Sequence, residues 1–267
     1  VTGAGSGIGK AFAIELARRG GRVVCSDINV QSVQSTVEVI LQEGGQALAV
    51  GCDVTKLKNV QSLAADAEKW LNGPIDLVIN NAGVGIGGSP IGEIPIKDWK
   101  WVVDINMWGV VYGCHVFAPL LRKQSKGAII NVCSTASFAA APLMGPYNLT
   151  KAAVLALSET LSAELAGTGV SVTALCPTFV KTNIVADGRI SSSQSNAAKA
   201  LLERTGVTPE SIVKTTLKGL DKKQLYVLPQ IDARIIWRIK RIAPISYSRG
   251  TKIIGKMAAK NASSSNA

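Results

Sequence analysis

The chain has 267 residues, of which 47% are hydrophobic and 18% charged, a balance typical of a folded globular protein and not of a disordered one. Its net charge of +11 is uneven, because eight Lys and Arg residues but one acidic residue lie after residue 230. Five cysteines and one histidine without C-x-x-C spacing exclude the usual zinc sites and a disulfide framework, so we expect no metal, buried thiols and a reducing, cytoplasmic setting.

The chain opens on a glycine-rich turn, Thr2 to Gly9, followed by a predicted helix over residues 9–19. Glycines permit a tight turn, and a helix N-terminus offers N–H groups to a pyrophosphate. A lone glycine-rich octet is also typical of a flexible loop, but its position between a strand end and a helix favours a dinucleotide site. Since most of the preceding strand is missing, we expect residues upstream of Val1.

Apolar runs of strand length then alternate with amphipathic runs of helix length. This pattern predicts an α/β fold, a Rossmann-like doubly wound three-layer sandwich with a seven-stranded parallel sheet. The predicted strands, besides the truncated first one, cover residues 22–26, 47–52, 77–80, 128–133, 171–176 and 224–228. The predicted helices cover residues 9–19, 30–43, 56–70, 96–124, 147–166 and 209–222.

Asp27 closes the second predicted strand. A carboxylate there can accept hydrogen bonds from the adenosine ribose of NAD and repel the 2′-phosphate of NADP, so NAD is the expected cofactor and NADP the less favoured one. Asp27 can also act as the N-cap of the helix that begins near Val30, and the two roles are compatible.

Tyr147 and Lys151 lie four residues apart and so share one helix face. An ammonium group near a phenol favours the phenolate and lowers the tyrosine pKa, which suits acid/base chemistry. A bare pair with this spacing is equally typical of a solvated helix surface. Ser134, at the end of strand 128–133, favours the catalytic interpretation because its hydroxyl can polarise a carbonyl beside the tyrosine.

Taken in order, these motifs make the chain similar to the short-chain dehydrogenase/reductase family, in its single-domain branch. The resemblance spans residues 1–229 and rests on the glycine turn, Asp53-Val54, the Asn80 to Gly83 segment, Ser134 and the Tyr147/Lys151 pair. It implies an oxidoreductase in which Tyr147 exchanges a proton with the substrate, Ser134 holds the substrate oxygen and Lys151 binds the nicotinamide ribose. It also implies that Asn106 anchors a proton-relay water, although this residue can equally be a satisfied helix-bend residue.

The resemblance further implies which residues contact the cofactor. Asp53 would bind the adenine amino group, and Ser6, in place of a basic residue, agrees with NAD. Thr178 departs from the family pattern, which commonly has glycine after Pro177, so the backbone there is an open question. The implied cofactor contacts are Gly3, Ser6, Gly7, Ile8, Gly9, Asp27, Asp53, Val54, Asn81, Ala82, Gly83, Tyr147, Lys151, Pro177, Val180 and Thr182.

An apolar set of residues is expected on the substrate side, which predicts a small hydrophobic secondary alcohol or ketone. For any single member, ordinary core packing is an equal alternative. The set comprises Phe138, Leu143, Met144, Phe179, Ile184 and Val185, and Ser134 and Tyr147 are the polar residues expected to contact the substrate beside it. Residues 182–206 are polar and predict a lid. The competing hypothesis is a non-catalytic NAD-binding scaffold or membrane-recruited regulatory protein on the same fold.

Residues 231–267 form a basic extension beyond the predicted catalytic domain of residues 1–230. A basic amphipathic helix with Trp237 suits peripheral contact with an anionic membrane or lipid surface, whereas packing over the substrate entrance or a partner subunit is the alternative. The resemblance implies a homodimer, or a homotetramer, formed through the helices 96–124 and 147–166. Nucleic acid is not expected as a partner, because the basic residues lack an interleaved aromatic platform.

Overall fold

A computed structural model describes residues 1–182, 184, 188–190 and 205–264, with side chains up to residue 257. Val185 and most of the predicted lid, residues 182–206, lie outside these described residues. In chain order the elements are α1 (Gly7–Arg18), β1 (Arg22–Asp27), α2 (Val30–Gln42), β2 (Gln46–Gly51), α3 (Leu57–Leu71), β3 (Leu77–Asn80), β4 (Ile86–Gly87), α4 (Ile96–Val103), α5 (Gly109–Gln124), β5 (Gly127–Val132), α6 (Ala136–Ala139), α7 (Gly145–Glu164), β6 (Val170–Leu175), β7 (Arg189–Ile190), α8 (Pro209–Asp221), β8 (Tyr226–Val227), α9 (Ile231–Ile242) and α10 (Pro244–Ser264).

The strands form parallel ladders, with β1 beside β2 and a four-stranded sheet in the order β3-β5-β6-β8. The prediction of one seven-stranded sheet is therefore corrected. Val1 and Thr2 lie between the two ladders, since Ser26 N donates to Val1 O at 2.9 Å and Thr2 N donates to Ile79 O at 3.0 Å. Gly3, with a φ of +64°, then begins the glycine turn.

Helices cover both faces of the main sheet. On one face α1 packs against α2 and α8, and on the other α5 packs against α3 and α7. Neighbouring residues of β5 show this directly, because Ile129 and Ile130 are both fully buried yet belong to different core clusters. Alternate side chains of a strand point to opposite faces, so a strand covered on both sides is apolar throughout. The Rossmann-like α/β prediction is thereby confirmed.

Three features of the fold were not predicted from the sequence. The helix predicted over 96–124 is divided by a π-helical turn, Asp104–Trp108, between α4 and α5. The short strands β4 and β7 pair with each other, which ties residues 189–190 to the loop after β3. Beyond α9 the chain continues into a second tail helix, α10. No helix among the described residues is both long and apolar enough to span a membrane.

Candidate active site

The glycine turn leads directly into α1 at the carboxyl edge of the sheet. Gly3 and Gly7 both have positive φ, at +64° and +53°. A Cβ on Gly9 would overlap the carbonyl oxygen of Gly3, so the turn closes on itself only without side chains. Ser6 is the N-cap of α1 but makes no side-chain capping bond. The N-terminal N–H groups of α1 are therefore suited to an anionic group such as a pyrophosphate.

The loop after β3 is hydrogen-bonded to this turn through Thr2. The Thr2 hydroxyl accepts from the backbone N–H groups of Asn81 at 3.0 Å and Ala82 at 3.1 Å. The Asn81 side chain in turn donates to the carbonyl oxygen of Thr2 at 2.9 Å and to that of Gly3 at 3.1 Å. These bonds bring Asn81 and Ala82, both implied cofactor contacts, against Gly3.

The loop after β6 reaches the opposite side of the same turn. A Cβ on Gly7 would lie 3.0 Å from the Cγ2 of Thr182. Val180 is buried and forms a parallel bridge with Val207. Thr178 is not among the residues with positive φ, so it occupies the usual glycine position without backbone strain. Its N–H donates to Gln230 Oε1 at 3.1 Å and its hydroxyl to Asp232 Oδ1 at 3.1 Å, which ties this loop to the start of α9.

Asp27 lies at the end of β1 beside the glycine turn. Its two carboxylate oxygens accept from the backbone N–H groups of Gly5 and Asn29, each at 3.0 Å. The N-cap of α2 is Asn29, whose side chain accepts from Ser32 N at 3.1 Å. The helix-cap alternative for Asp27 is therefore wrong. Each carboxylate oxygen keeps further lone-pair capacity for a hydroxyl donor.

Asp53 and Val54 follow β2 at the same edge of the sheet. Asp53 Oδ1 accepts from the Thr55 N–H at 3.0 Å and from its hydroxyl at 2.7 Å, which forms a local turn. Val54 is buried against Gly109, where an added Cβ would lie 2.9 Å from the Val54 Cγ2. Both residues are thus held at the carboxyl end of a strand, where ligands bind in open parallel sheets.

Ser134 and Tyr147 come together from β5 and α7. Ser134 lies two residues beyond β5, and its hydroxyl accepts from Ala136 N at 3.1 Å. Tyr147 is buried in the first turn of α7, which begins at Gly145-Pro146. Burial raises the pKa of Tyr147 to about 12, while its hydrogen bond with Ser134 acts in the opposite direction. Tyr147 is consequently a neutral phenol near neutrality and is able to donate a proton.

Lys151 follows Tyr147 on the same face of α7. Its Nζ donates to the carbonyl oxygen of Val132 at 2.8 Å and lies 5.7 Å from the centre of the Tyr147 ring. The expected net lowering of the tyrosine pKa is not found, because the burial of Tyr147 outweighs the influence of nearby groups. Burial also lowers the pKa of Lys151 itself. An ammonium has three donors, so Lys151 can bind a ribose hydroxyl while it keeps its bond to Val132.

Asn106 lies fully buried in the π-helical turn. Its Oδ1 accepts from Val84 N at 2.8 Å and its Nδ2 donates to Val84 O at 2.9 Å, so its visible contacts are those of a bend residue. Gly83 lies between Asn106 and Lys151, because a Cβ there would come within 3.2 Å of Asn106 Oδ1 and 3.6 Å of Lys151 Nζ. A side chain at Gly83 would therefore crowd Asn106.

The residues expected to bind substrate are only partly brought together. Met144 and Ile184 pack in the cluster that contains Tyr147. Phe138 does not, since it lies in the main core and its ring meets Trp237 of α9 at 5.0 Å, edge to face. Phe179 is exposed. Sequence reasoning missed further members of the Tyr147 cluster, for which no motif gave a signal: Val84, Ile86, Ile94, Trp99, Trp101 and Val102.

A cavity of about 510 Å³ lies beside this cluster and shares Ile86 and Ile94 with it. Its charged lining includes Asp98 and Arg189, which form an ion pair at 2.5 Å, and the Arg189 guanidinium lies 4.0 Å from the centre of the Trp101 ring. Arg189 belongs to the predicted lid, and nothing in the sequence marked it as part of a site. Within the described part of the chain, no three His, Cys, Asp or Glu side chains group as metal ligands.

Known proteins are similar to this chain over most of its length. The family model described as short chain dehydrogenase matches residues 1–192. The 1-deoxy-11-beta-hydroxypentalenate dehydrogenase of Streptomyces exfoliatus is 33% identical over 256 residues, covering 92% of this chain and 90% of that protein. The Mycobacterium tuberculosis protein named "Probable oxidoreductase EphD" is 33% identical over 255 residues, but the chain spans only 43% of its length.

Two solved structures show the likeness in three dimensions. A short-chain dehydrogenase/reductase from Burkholderia phymatum in complex with NAD is 33% identical, with a TM-score of 0.84 over 90% of this chain and 91% of that one. A short-chain dehydrogenase from Sphingobium yanoikuyae in complex with NADPH is 26% identical, with a TM-score of 0.77 over 93% and 94% of the two chains.

Proposed function

Since the chain belongs to the short-chain dehydrogenase/reductase family, we propose that it interconverts a hydrophobic secondary alcohol and its ketone by hydride transfer with NAD, using Tyr147 as acid/base. One observation carries this proposal: Ser134, Tyr147 and Lys151 converge at the carboxyl end of β5, beside the glycine turn and the loop after β6. A scaffold protein has no need of a buried phenol between a hydroxyl and an ammonium.

Each side chain of the candidate active site has a separate role in the proposed reaction. Ser134 orients the substrate oxygen by hydrogen bonding, and Tyr147, which the raised pKa keeps protonated, donates its proton to that oxygen when a ketone is reduced. Lys151 holds the nicotinamide ribose, and Asn106 supports a water that resupplies the proton. The bound nicotinamide supplies or accepts the hydride.

NAD is the proposed cofactor because of Asp27. Its carboxylate, held by Gly5 and Asn29, is placed to accept from ribose hydroxyls and would repel a 2′-phosphate. The glycine turn, with no side chain at Gly3, Gly7 or Gly9, gives the pyrophosphate access to the start of α1. The NAD complex of the Burkholderia protein, a relative at 33% identity, supports this choice.

The proposed substrate is small and hydrophobic. The cluster around Tyr147 is formed by isoleucine, valine, methionine and tryptophan side chains. The charged side chains that line the neighbouring cavity are Lys97 and the ion pair of Asp98 with Arg189, whose two charges neutralise each other. The name of the Streptomyces relative, a dehydrogenase of a hydroxylated compound, is consistent with a secondary alcohol.

The chain is proposed to act as a homodimer at least, through α4, α5 and α7. Trp108, in the π-helical turn between α4 and α5, and Leu149, on α7, support this assembly, because 42% and 47% of their surfaces are exposed. Exposed large side chains on helices that pair across a twofold axis are typical of such an interface.

The test is turnover of NAD with a panel of secondary alcohols by the wild-type chain, Tyr147→Phe and the control Tyr226→Phe. Tyr226 also carries a hydrogen-bonded phenol, bound to Glu159 at 2.7 Å, but belongs to β8. Loss of the acid/base group should reduce turnover by about 100-fold or more. Full turnover in Tyr147→Phe would contradict the proposal. It would favour the alternative, a non-catalytic NAD-binding scaffold or membrane-recruited regulatory protein. A wild-type chain that binds NAD but oxidises none of the alcohols would do the same.

A further inference from the structure

The tail helices α9 and α10 have an inner face that packs against the core. Trp237 lies between Phe138, at 5.0 Å, and Tyr226, at 4.7 Å, measured between ring centres. Lys240 donates to the carbonyl oxygen of Phe138, and the Tyr247 hydroxyl donates to that of Ala139 at 2.7 Å. The tail is therefore fixed on the domain in one orientation, which determines what its other face presents.

The outer face of the tail is apolar and exposed. Of the sixteen large hydrophobic side chains that are exposed in the described part of the chain, eight belong to these two helices. A concentration of this kind is not ordinary surface composition, since scattered single residues are the norm. The eight are Ile231, Ile235, Ile239, Ile242, Ile245, Ile253, Ile254 and Met257.

Basic side chains accompany these isoleucines. Arg238, Arg249, Lys252 and Lys256 are exposed, and none of them forms an ion pair with a described residue. Asp232, the one acidic residue of the tail, is bound to Thr178 at the start of α9. The outer face therefore combines apolar side chains with unneutralised positive charge.

Apolar side chains together with unneutralised positive charge favour one kind of binding partner. A second copy of the chain would place one strongly basic tail against another, because a twofold interface opposes the same surface patch. An anionic lipid surface offers negative headgroups to the basic residues and acyl chains to the isoleucines. We propose that the outer face of α9 and α10 binds membranes that contain anionic lipids. This binding is independent of the proposed reaction.

The experiment is flotation of the full chain with vesicles of phosphatidylcholine alone and of phosphatidylcholine mixed with phosphatidylglycerol. The wild-type chain should float with the mixed vesicles and much less with the neutral ones. Ile242→Asn should reduce partitioning by about tenfold, because 82% of this side chain is exposed and its apolar surface is lost to the lipid. Leu41→Asn, on α2 and 52% exposed, is the matched control and should float like the wild type.

A charge variant tests the contribution of the positive charge to membrane binding and leaves the apolar residues unchanged. Arg249→Gln/Lys252→Gln should reduce binding to the mixed vesicles by about 25-fold, since each basic residue near an anionic surface contributes about fivefold. Both side chains are exposed, so this variant should keep the wild-type melting temperature even if Ile242→Asn does not fold.

Three results would overturn the proposal. The first is a wild-type chain that floats equally, or not at all, with both kinds of vesicle. The second is loss of binding in the charge variant with unchanged binding in Ile239→Asn/Ile242→Asn, which would indicate a general polyanion site. The third is a lower oligomer mass for Ile239→Asn/Ile242→Asn by light scattering, which would indicate an interface between copies.

Discussion

Tyr147 is a buried phenol whose ionisation is coupled to folding. Its pKa is about 12 in the folded chain, against about 10 for an unperturbed tyrosine. Below the unfolded pKa both states hold the proton and the stability is fully present. As pH rises from about 10 to about 12, the unfolded chain loses the proton first, so stability falls.

The measurable consequence is a difference between the wild-type chain and Tyr147→Phe in alkali. The wild type should lose about 2 kcal/mol more than the variant between about pH 9 and about pH 12, because the folded-state pKa lies about two units above the unfolded one. Urea unfolding across this range measures it. The other ionisable groups are the same in both proteins, so their contributions cancel in the difference. Parallel curves would mean that Tyr147 is not buried as described.

Asp27 makes a second prediction at the residue scale. Asp27→Asn removes the charge that is proposed to bind the ribose and to repel a phosphate. Hydrogen bonds to charged groups contribute about 1.5–3 kcal/mol, so the KM for NAD should rise about ten- to a hundredfold while the preference over NADP falls. Asp76→Asn, at an exposed ion pair with Lys126, is the control. A wild-type chain that already prefers NADP would contradict the role of Asp27.

The residues that form the candidate site were easier to predict from the sequence than the directions in which side chains point. Spacing alone placed Tyr147 and Lys151 on one helix face, and the strand end placed Ser134 near them. No pattern showed that Phe138 points to α9, because its contact partner lies 99 positions away in sequence, at Trp237. The raised tyrosine pKa was equally hidden, since burial depends on the assembled cluster.

At the scale of elements, the tail helices α9 and α10 stabilise the segment between Ser134 and Tyr147. Trp237 packs on Phe138, Lys240 bonds to the backbone of Phe138, and Tyr247 bonds to Ala139. Trp237→Ala should lower the free energy of unfolding by about 3 kcal/mol, because it removes a large ring from between two aromatic side chains. Ile242→Ala, on the exposed side of the same helix, should change it by less than about 0.5 kcal/mol. Urea denaturation distinguishes the two, and equal losses would mean that the tail does not brace the domain.

Helices and strands could be predicted where the hydrophobic periodicity of the sequence is strong. They could not be predicted where particular hydrogen bonds determine the backbone conformation. The alternating strands and helices followed from apolar runs, whereas the π-helical turn at Asp104–Trp108 depends on the hydrogen bonds of Asn106 with Val84. Val1 and Thr2, expected as the end of a truncated first strand, lie between the two ladders. The pairing of β4 with β7 joins residues about a hundred positions apart, a distance that no local pattern encodes.

For the whole molecule, the proposed dimer makes the remaining prediction. Leu149→Glu places an unpaired charge at the exposed face of α7, and twofold symmetry places it there twice. A buried unpaired charge costs about 3 kcal/mol or more, so dimer affinity should fall by about a hundredfold or more. Light scattering should then show monomers at concentrations where the wild type is dimeric, while Leu41→Glu on α2 stays dimeric. The proposed NAD site, including Tyr147 and Lys151 on α7, is formed by one chain, so the monomer should keep its affinity for NAD. A Leu149→Glu chain that remains dimeric would place the interface elsewhere.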